Sequence, residues 1–429
     1  CEKWTYDRTY FQETLTTKWN LVCDKAVILR TMLAVISFGT MFSSINTYIM
    51  DIGCLSIFAF DEIYWTIFKF VNCTVFLRDI CYCWSLEFVH IDKRAFVTTC
   101  FSVSFSVASA SLSLIAYFCS TWFQMALCTT CPSIILLVFA VLPESPRWLF
   151  RRGRYEEAAR SLAKMAALGG QAGYLKADDI LHCFKEAGVF GAEKRSEVSR
   201  SALKDFADFV KSANMRKKAM ALTFIFAFGN QIYCAIPFVM EKLEADFYIS
   251  FAVQSLVEVP AALTLNFVMG NYGRVLPLSL AYFTAATFCL LTWPLTSLGP
   301  VWPLISIGLA HFFAAVGVNV SFQFLNESYP TIGRGVGMGL AFVALSLANF
   351  SFQYTILLAN VWQHLPKIVF SILVYSASLV ALFLPDVGHQ SLPATVAEAE
   401  AQGSFGTDSF AVNLKNLPSA LRKRPKLNP

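Results

Sequence analysis

Long apolar runs separated by short polar hinges dominate this chain of 429 residues. A helix that crosses a membrane needs about 20 consecutive, mostly apolar residues. Clusters of charged residues, Gly and Pro end most runs, as at Asn271-Tyr-Gly-Arg274. The pattern predicts an all-α polytopic membrane protein with spans near 62–89, 95–117, 119–142, 218–240, 246–270, 275–297, 301–325, 335–360 and 366–385.

One apolar stretch does not fit this scheme. Residues 26–60 are too long for a single span and too short for two spans with a turn, and Asp51 lies among them. If this stretch crosses the membrane once, the orientation of the following helices is inverted. A segment that re-enters the membrane without crossing it keeps their orientation.

A polar loop interrupts the apolar runs in the middle of the chain. Between Arg147 and Lys218 lie 16 of the 34 Lys and Arg residues. Because basic loops stay in the cytoplasm, residues 143–217 are predicted to be a cytoplasmic loop. Two amphipathic helices are predicted in it, at 154–168 and 201–214. The polar segment 388–429, which ends in a basic cluster, is predicted to be a disordered cytoplasmic tail.

Composition excludes several classes of function. The chain is 56% hydrophobic and 15% charged, whereas charged residues are about a quarter of a soluble domain. A net charge of +5 does not indicate a nucleic-acid partner. The sequence contains no Gly-rich phosphate loop, nucleophile elbow or His pair at metal spacing. We therefore predict no enzyme activity, no cofactor and no metal site.

Thirteen cysteines raise the question of disulfides or metal ligands. Most lie in apolar runs, and Cys128-Thr-Thr-Cys131 has no second pair to complete a metal site. Small residues at helix contacts are the simpler interpretation. Cys1 and Cys23 flank a polar, aromatic segment predicted to be extracellular, where a disulfide between them is possible.

Ordered motifs along the chain carry a family resemblance. They are Pro143-Glu-Ser-Pro-Arg-Trp-Leu149, Leu256-Val-Glu-Val-Pro-Ala261, Asn326-Glu-Ser-Tyr-Pro-Thr331 and Leu384-Pro-Asp-Val-Gly388. The chain resembles the organic cation, organic anion and carnitine transporters of the major facilitator superfamily. The resemblance implies a helical bundle with about ten of the family's twelve helices present.

The resemblance also implies a division of the chain. Residues 1–25 would be the end of an extracellular loop, 26–142 a truncated N-terminal helical half, and 218–387 a C-terminal six-helix half. The family's first helix, and the hairpin after its second helix, have no counterpart in this sequence. The hairpin should fall in 40–55.

Two ionisable residues inside apolar spans are the first candidates for substrate binding. Glu258 is a carboxylate in mid-span, which costs several kcal/mol unless it faces a cavity or a partner. The resemblance places it beside the substrate path. His311 stands where the family usually has Lys or Arg, so a titratable group replaces a permanent charge. We hypothesise that transport depends on pH between about 5 and 7 through His311.

Four polar residues complete the predicted substrate-binding set: Tyr233, Gln231, Asn319 and Ser346. An aromatic face such as that of Tyr233 can hold an alkylammonium group. At the position of Ser346, the resemblance implies an Asp in family members that prefer cations and often an Arg in those that accept anions. Charge preference would then rest on Glu258 and His311.

Two paired motifs are predicted to hold one conformation of the transporter: Glu144 with Arg147, and Glu327 with Arg334. By the resemblance, inter-helix ion pairs formed by these motifs hold the outward-open state and control its switching. Glu87 and Arg94 resemble the family's motif at the exit from its fourth helix and are predicted to belong to the same gating or structural set.

The predicted function is gradient-driven, alternating-access transport of small organic cations or carnitine-like zwitterions. The predicted location is the plasma membrane, and the predicted partners are the small organic ion and the lipid bilayer, with no nucleic acid. Organic anion exchange, and an inactive or incomplete transporter, remain alternatives. A receptor or channel would leave the ordered motifs unexplained.

Overall fold

The computed structural model describes residues 93–130, 154–167, 176–186, 211–240, 247–299, 301–330, 334–388 and 396–422, with a few isolated positions besides. Twelve α-helices lie in these ranges. They are α1 Arg94–Phe118, α2 Trp122–Thr130, α3 Tyr155–Ala166, α4 Ala177–Glu186, α5 Ala213–Met240, α6 Phe247–Tyr272, α7 Val275–Leu295, α8 Val301–Ser328, α9 Arg334–Thr355, α10 Leu365–Ala381, α11 Val396–Ala401 and α12 Thr407–Arg422.

Six of the described helices are long and apolar enough to cross a membrane: α1 and α5 to α9. Helix α10 is apolar but shorter. Their limits agree closely with the spans predicted at 95–117 and from 218 onward. Of the predicted span 119–142, the structure describes only residues 119–130, which include α2. The predicted span 62–89, the stretch 26–60 and most of the predicted helix 201–214 lie outside the described residues. The amphipathic helix predicted at 154–168 is α3.

Helices α5 to α10 form one bundle. Helix α5 packs against α8, α9 and α10, while α7 packs against α8 and α10, and α6 lies against α8. Helix α1 joins this bundle chiefly through its long contact with α6. Several basic residues lie at one end of the bundle, which we call the basic end. They are Arg94, Arg216, Lys217, Lys218 and Arg274.

A buried tyrosine fixes the spacing of three helices in the core. The ring of Tyr282 on α7 lies between Gly229 of α5 and Gly317 of α8, and a Cβ at either glycine would clash with it. Its hydroxyl donates to Ser321 Oγ at 3.2 Å. Only glycine allows α5 and α8 to approach α7 this closely, so the two helices that carry Tyr233 and His311 are held together.

The structure differs from the predicted disorder over residues 396–422. Two helices, α11 and α12, lie against the basic end of the bundle. Asn413 Nδ2 donates to the carbonyls of Leu382 and Leu384 at 2.8 and 2.9 Å, and Lys218 Nζ donates to the Ala399 carbonyl at 2.7 Å. The carbonyls of Leu382 and Leu384 follow the end of α10, where helix carbonyls lack backbone partners, and Asn413 of the tail supplies their hydrogen bonds.

Candidate functional site

Glu258 lies in the middle of α6 and is only 8% exposed. Three side chains from three other helices donate hydrogen bonds to its carboxylate. Tyr233 Oη of α5 lies 2.6 Å from Oε1, and His311 Nε2 of α8 lies 3.0 Å from the same oxygen. Ser106 Oγ of α1 lies 3.1 Å from Oε2. We call these four residues the Glu258 cluster.

His311 is almost completely buried, at 1% exposure. Its ring stacks on that of Tyr233, with centroids 5.1 Å apart and an interplanar angle of 19°. Nε2 contacts the carboxylate, whereas Nδ1 is buried and has no hydrogen-bond partner among the described residues. The two candidates predicted from sequence as lone ionisable groups therefore contact each other.

A proline close to the carboxylate removes one backbone hydrogen bond from α6. Pro260 lies inside α6, two residues after Glu258. Proline has no N–H and cannot bond to the carbonyl four residues earlier, which here is that of Leu256.

A stripe of hydroxyl residues on α1 reaches the same helices. Thr98, Ser102 and Ser106 are spaced four residues apart and so share one face of α1. Thr98 Oγ1 donates to Gln323 Oε1 at 2.6 Å, and the Ser102 hydroxyl donates to the side-chain oxygen of Asn319. The sequence analysis missed these hydroxyls and Gln323, although the four-residue spacing was visible.

Three other predicted binding residues lie apart from the Glu258 carboxylate. Asn319 accepts from Ser102 and donates to the Ala315 carbonyl, so its side chain links α1 to α8. Gln231 is 2% exposed, and its Nε2 has no hydrogen-bond partner among the described residues. The Ser346 hydroxyl of α9 donates to the Phe342 carbonyl of its own helix at 2.8 Å.

A second buried ion pair lies at the basic end. Arg274 Nε is 2.9 Å from Glu327 Oε2 and Nη2 is 3.1 Å from Oε1, with both side chains 3% exposed. Gln323 Nε2 also donates to Glu327 Oε1 at 2.8 Å, and Arg274 Nη1 donates to the Met269 carbonyl at 2.7 Å. We call Arg274, Glu327 and Gln323 the Arg274 cluster.

This pairing identifies a partner that the sequence analysis missed. Glu327 was predicted to form an inter-helix ion pair, but Arg274 was noted only in a hinge without an acidic residue. Arg94 is buried at the start of α1. Arg334 begins α9, and its side chain is not described. Glu87, Glu144, Arg147, Cys1 and Cys23 lie outside the described residues, so the predictions for them stay predictions.

A helical bundle with polar groups buried between its long apolar helices is typical of a membrane transporter. Comparison with known proteins agrees with this class. The "Sugar (and other) transporter" family matches residues 82–394. The chain belongs to that family, and it is a transporter rather than an enzyme.

The similar curated proteins include organic cation transporters and members of solute carrier family 22, which confirms the resemblance seen in the sequence. Organic cation transporter 1 of Caenorhabditis elegans is 25% identical, covering 93% of this chain and 71% of that protein. The beta-alanine transporter of Drosophila melanogaster is 25% identical over 99% of this chain and 72% of its own length. Solute carrier family 22 member 3 of Mus musculus is 27% identical over 94% and 74%.

Solved structures confirm the fold. The proton:xylose symporter XylE, bound to a bromodeoxyglucose, superposes with a TM-score of 0.53. It is 18% identical, and the match covers 87% of this chain and 82% of that one. At this identity the likeness concerns the fold alone.

Proposed function

We propose that this protein carries small organic cations or carnitine-like zwitterions across the plasma membrane by alternating access, and that Glu258 binds their cationic group. The observation that carries the proposal is the position of the carboxylate. It lies in the middle of a membrane-spanning helix, is buried, and accepts hydrogen bonds from three side chains of the described helices. A carboxylate is retained at such a site, in spite of its cost, where it meets a ligand or a partner.

The groups around Glu258 suit an ammonium ligand. The Tyr233 ring lies beside the carboxylate and offers an aromatic face for a cation–π contact. Ser106 comes from α1 and Tyr233 from α5, so a ligand at Glu258 touches helices predicted to belong to different halves. Binding there can therefore bias the arrangement of the two halves, as alternating access requires.

The names of similar proteins support this substrate class. They are called transporters of organic cations, beta-alanine and carcinine. An organic anion carrier, the alternative, would need a cationic group available in mid-membrane. In the described helices the residue of this type in mid-span is His311, and it is bonded to Glu258.

The first prediction concerns Glu258→Gln, tested by uptake. The protein in its native full-length form is expressed in cells, and uptake of radiolabelled tetraethylammonium, carnitine and benzoate is measured. Because a cation loses its buried counter-charge, we expect cation uptake to fall by at least about 30-fold, equivalent to about 2 kcal/mol. Surface biotinylation reports the amount of protein at the membrane.

The matched control is Glu156→Gln, the same chemical change on an exposed position of α3. It should transport as the unmodified protein does. Equal cation uptake by Glu258→Gln at equal surface level contradicts the role of Glu258. Uptake of benzoate without uptake of either other probe favours the anion alternative, and uptake of none favours an inactive protein.

A further inference from the structure

We propose that this transporter exchanges one organic cation for one proton moving in the opposite direction, with Glu258 holding the cation and His311 holding the proton. The proposal rests on the proposed function, since it assigns the coupling ion of the same site. It goes beyond a pH-dependent rate, because it fixes the stoichiometry and the charge moved in each cycle. The observation behind it is the buried contact between Glu258 Oε1 and His311 Nε2, 3.0 Å long.

The pair is isolated from other charges in the described part of the chain. Helix α5 presents the Tyr233 hydroxyl to the pair and α1 presents the Ser106 hydroxyl, while on α7 the Tyr282 hydroxyl bonds to Ser321. In α1 and in α5 to α10, the charged residues other than Glu258 lie at or near the helix ends. They are Arg94, Arg216, Lys217, Lys218, Arg274, Glu327, Arg334 and Lys367. At about 1.5 Å per residue, Arg94 is about 18 Å along α1 from Ser106.

A buried carboxylate needs a compensating positive charge, and among the described residues His311 is the one basic group in contact with Glu258. Burying an ion without a partner is strongly unfavourable, and a hydrogen-bonded opposite charge removes most of the penalty. Before substrate binds, a proton on His311 supplies that charge.

A substrate cation and a protonated His311 compete for Glu258. Oε1 already accepts from Tyr233 and His311, and a bound ammonium must come within a few ångströms of the same carboxylate. Two positive charges at this distance in a buried site repel each other strongly. The site therefore holds either the proton on His311 or the organic cation, and not both.

The exchange balances in protons and in charge. The imidazolium keeps Nε2–H on Glu258 and releases the other proton from Nδ1, which has no hydrogen-bond partner among the described residues, to water. The neutral ring then leaves Glu258 to the cation. On the return step the cation departs and a proton from that compartment binds to Nδ1. With a singly charged cation, the Glu258–His311 pair and its ligand have zero net charge in both loaded forms, so the membrane potential does no work on them.

The direction of the pH effect follows from this competition. Acidifying the side from which the cation enters protonates His311 and excludes the cation, so uptake falls. Acidifying the opposite side speeds release there and raises uptake. A one-to-one exchange with a difference of about 1.5 pH units supports about 30-fold accumulation at zero membrane potential, since each unit is a factor of ten.

The test uses the native full-length protein in proteoliposomes with equal K⁺ and valinomycin to hold the potential at zero. The probe is tetraethylammonium, whose charge does not change with pH, and carnitine serves as the zwitterionic probe. We expect accumulation of probe when the interior is at about pH 6 and the exterior at about pH 7.5, and none at symmetrical pH. A trapped pH dye should record one proton leaving the lumen for each cation that enters.

Two histidine variants locate the coupling. His311→Gln should abolish accumulation driven by the pH difference, and any cation uptake that remains in this variant should follow an imposed negative potential and be insensitive to the pH difference. The control is His364→Gln, a histidine just before α10 that lies outside the Glu258 cluster. It should keep the response of the unmodified protein, and loss of coupling in both variants overturns the assignment to His311.

The outcomes separate the two proposals. Uptake of probe that follows an imposed potential and ignores the pH difference overturns the exchange and leaves the proposed function intact. Absence of uptake of both probes under either gradient, with correctly inserted protein, overturns the proposed function and the exchange with it.

Discussion

Two buried carboxylates in this bundle, those of Glu327 and Glu258, are bound by basic side chains of different kinds. Glu327 at the basic end is bound by the guanidinium of Arg274 through two hydrogen bonds, and Gln323 adds a third. Glu258 in mid-bundle is bound by the imidazole of His311 through one hydrogen bond, with two neutral hydroxyls. Both carboxylates are less than a tenth exposed.

The difference lies in what the counter-charge can do. A guanidinium is always charged and matches a carboxylate in a fixed two-bond geometry, so such a pair is suited to a lasting structural contact. An imidazole can lose its charge under physiological conditions, so its partner can be released to another cation. We infer that the Arg274 cluster holds helices together and the Glu258 cluster binds and releases ligands.

The largest expected effect is on stability, from breaking the permanent pair. Arg274→Gln leaves the buried Glu327 carboxylate without its charge partner, which should cost about 3–5 kcal/mol. We expect a strongly lowered melting temperature of the detergent-purified protein and poor surface expression. Lys217→Gln removes an exposed cation at the same end and serves as the control. Equal melting temperatures for the two variants would show that the Arg274 cluster is not structural.

A smaller effect is expected from the turn that positions Arg274. Gly273 has φ of +78°, and a Cβ there would clash with the Asp386 carboxylate, which accepts from the Arg274 N–H at 3.1 Å. Gly273→Ala should therefore destabilise the protein by about 1–3 kcal/mol. Gly270→Ala, one turn earlier with open space around it, should be harmless. If Gly273→Ala leaves the melting temperature unchanged, as Gly270→Ala should, this account of the turn is contradicted.

The smallest effect is expected in the Glu258 cluster itself. Tyr233→Phe removes the 2.6 Å hydrogen bond to Glu258 and keeps the ring that stacks on His311. Glu258 keeps its hydrogen bonds to His311 and Ser106, so losing the Tyr233 hydrogen bond should cost only about 1 kcal/mol. We expect the KM for tetraethylammonium to change several-fold while the melting temperature changes little. Tyr354→Phe, on a partly exposed tyrosine of α9, is the control, and a loss of stability without a change in KM would reverse the assigned role.

The same two clusters show what could be predicted from sequence. Glu258 and His311 stood out because ionisable residues are rare in apolar spans, and each was found without knowledge of the other. Arg274 was missed because an arginine in a polar hinge looks like an ordinary topology marker. Its partner, Glu327, is 53 positions away, and pairing at that distance depends on the packing of α7 against α8.

The roles of the short polar side chains and the order of the tail were also missed. Serine and threonine in apolar helices usually bond to their own backbone, so Ser106 gave little indication that it reaches Glu258. The tail is polar in composition, which favours disorder in isolation. Its order comes from contacts that composition does not reveal, among them the stacking of Phe410 on Phe383 and the Asn413 bonds to backbone carbonyls.

The central claim is that Glu258 binds the transported cation, and equilibrium binding tests it without a transport cycle. Scintillation proximity with purified native full-length protein would measure binding of radiolabelled tetraethylammonium at about pH 7.5 to the unmodified protein, Glu258→Gln and Glu156→Gln. The account predicts saturable binding that is retained in Glu156→Gln and weakened by at least about 30-fold in Glu258→Gln, with matching melting temperatures. Equal affinity in all three proteins would contradict it.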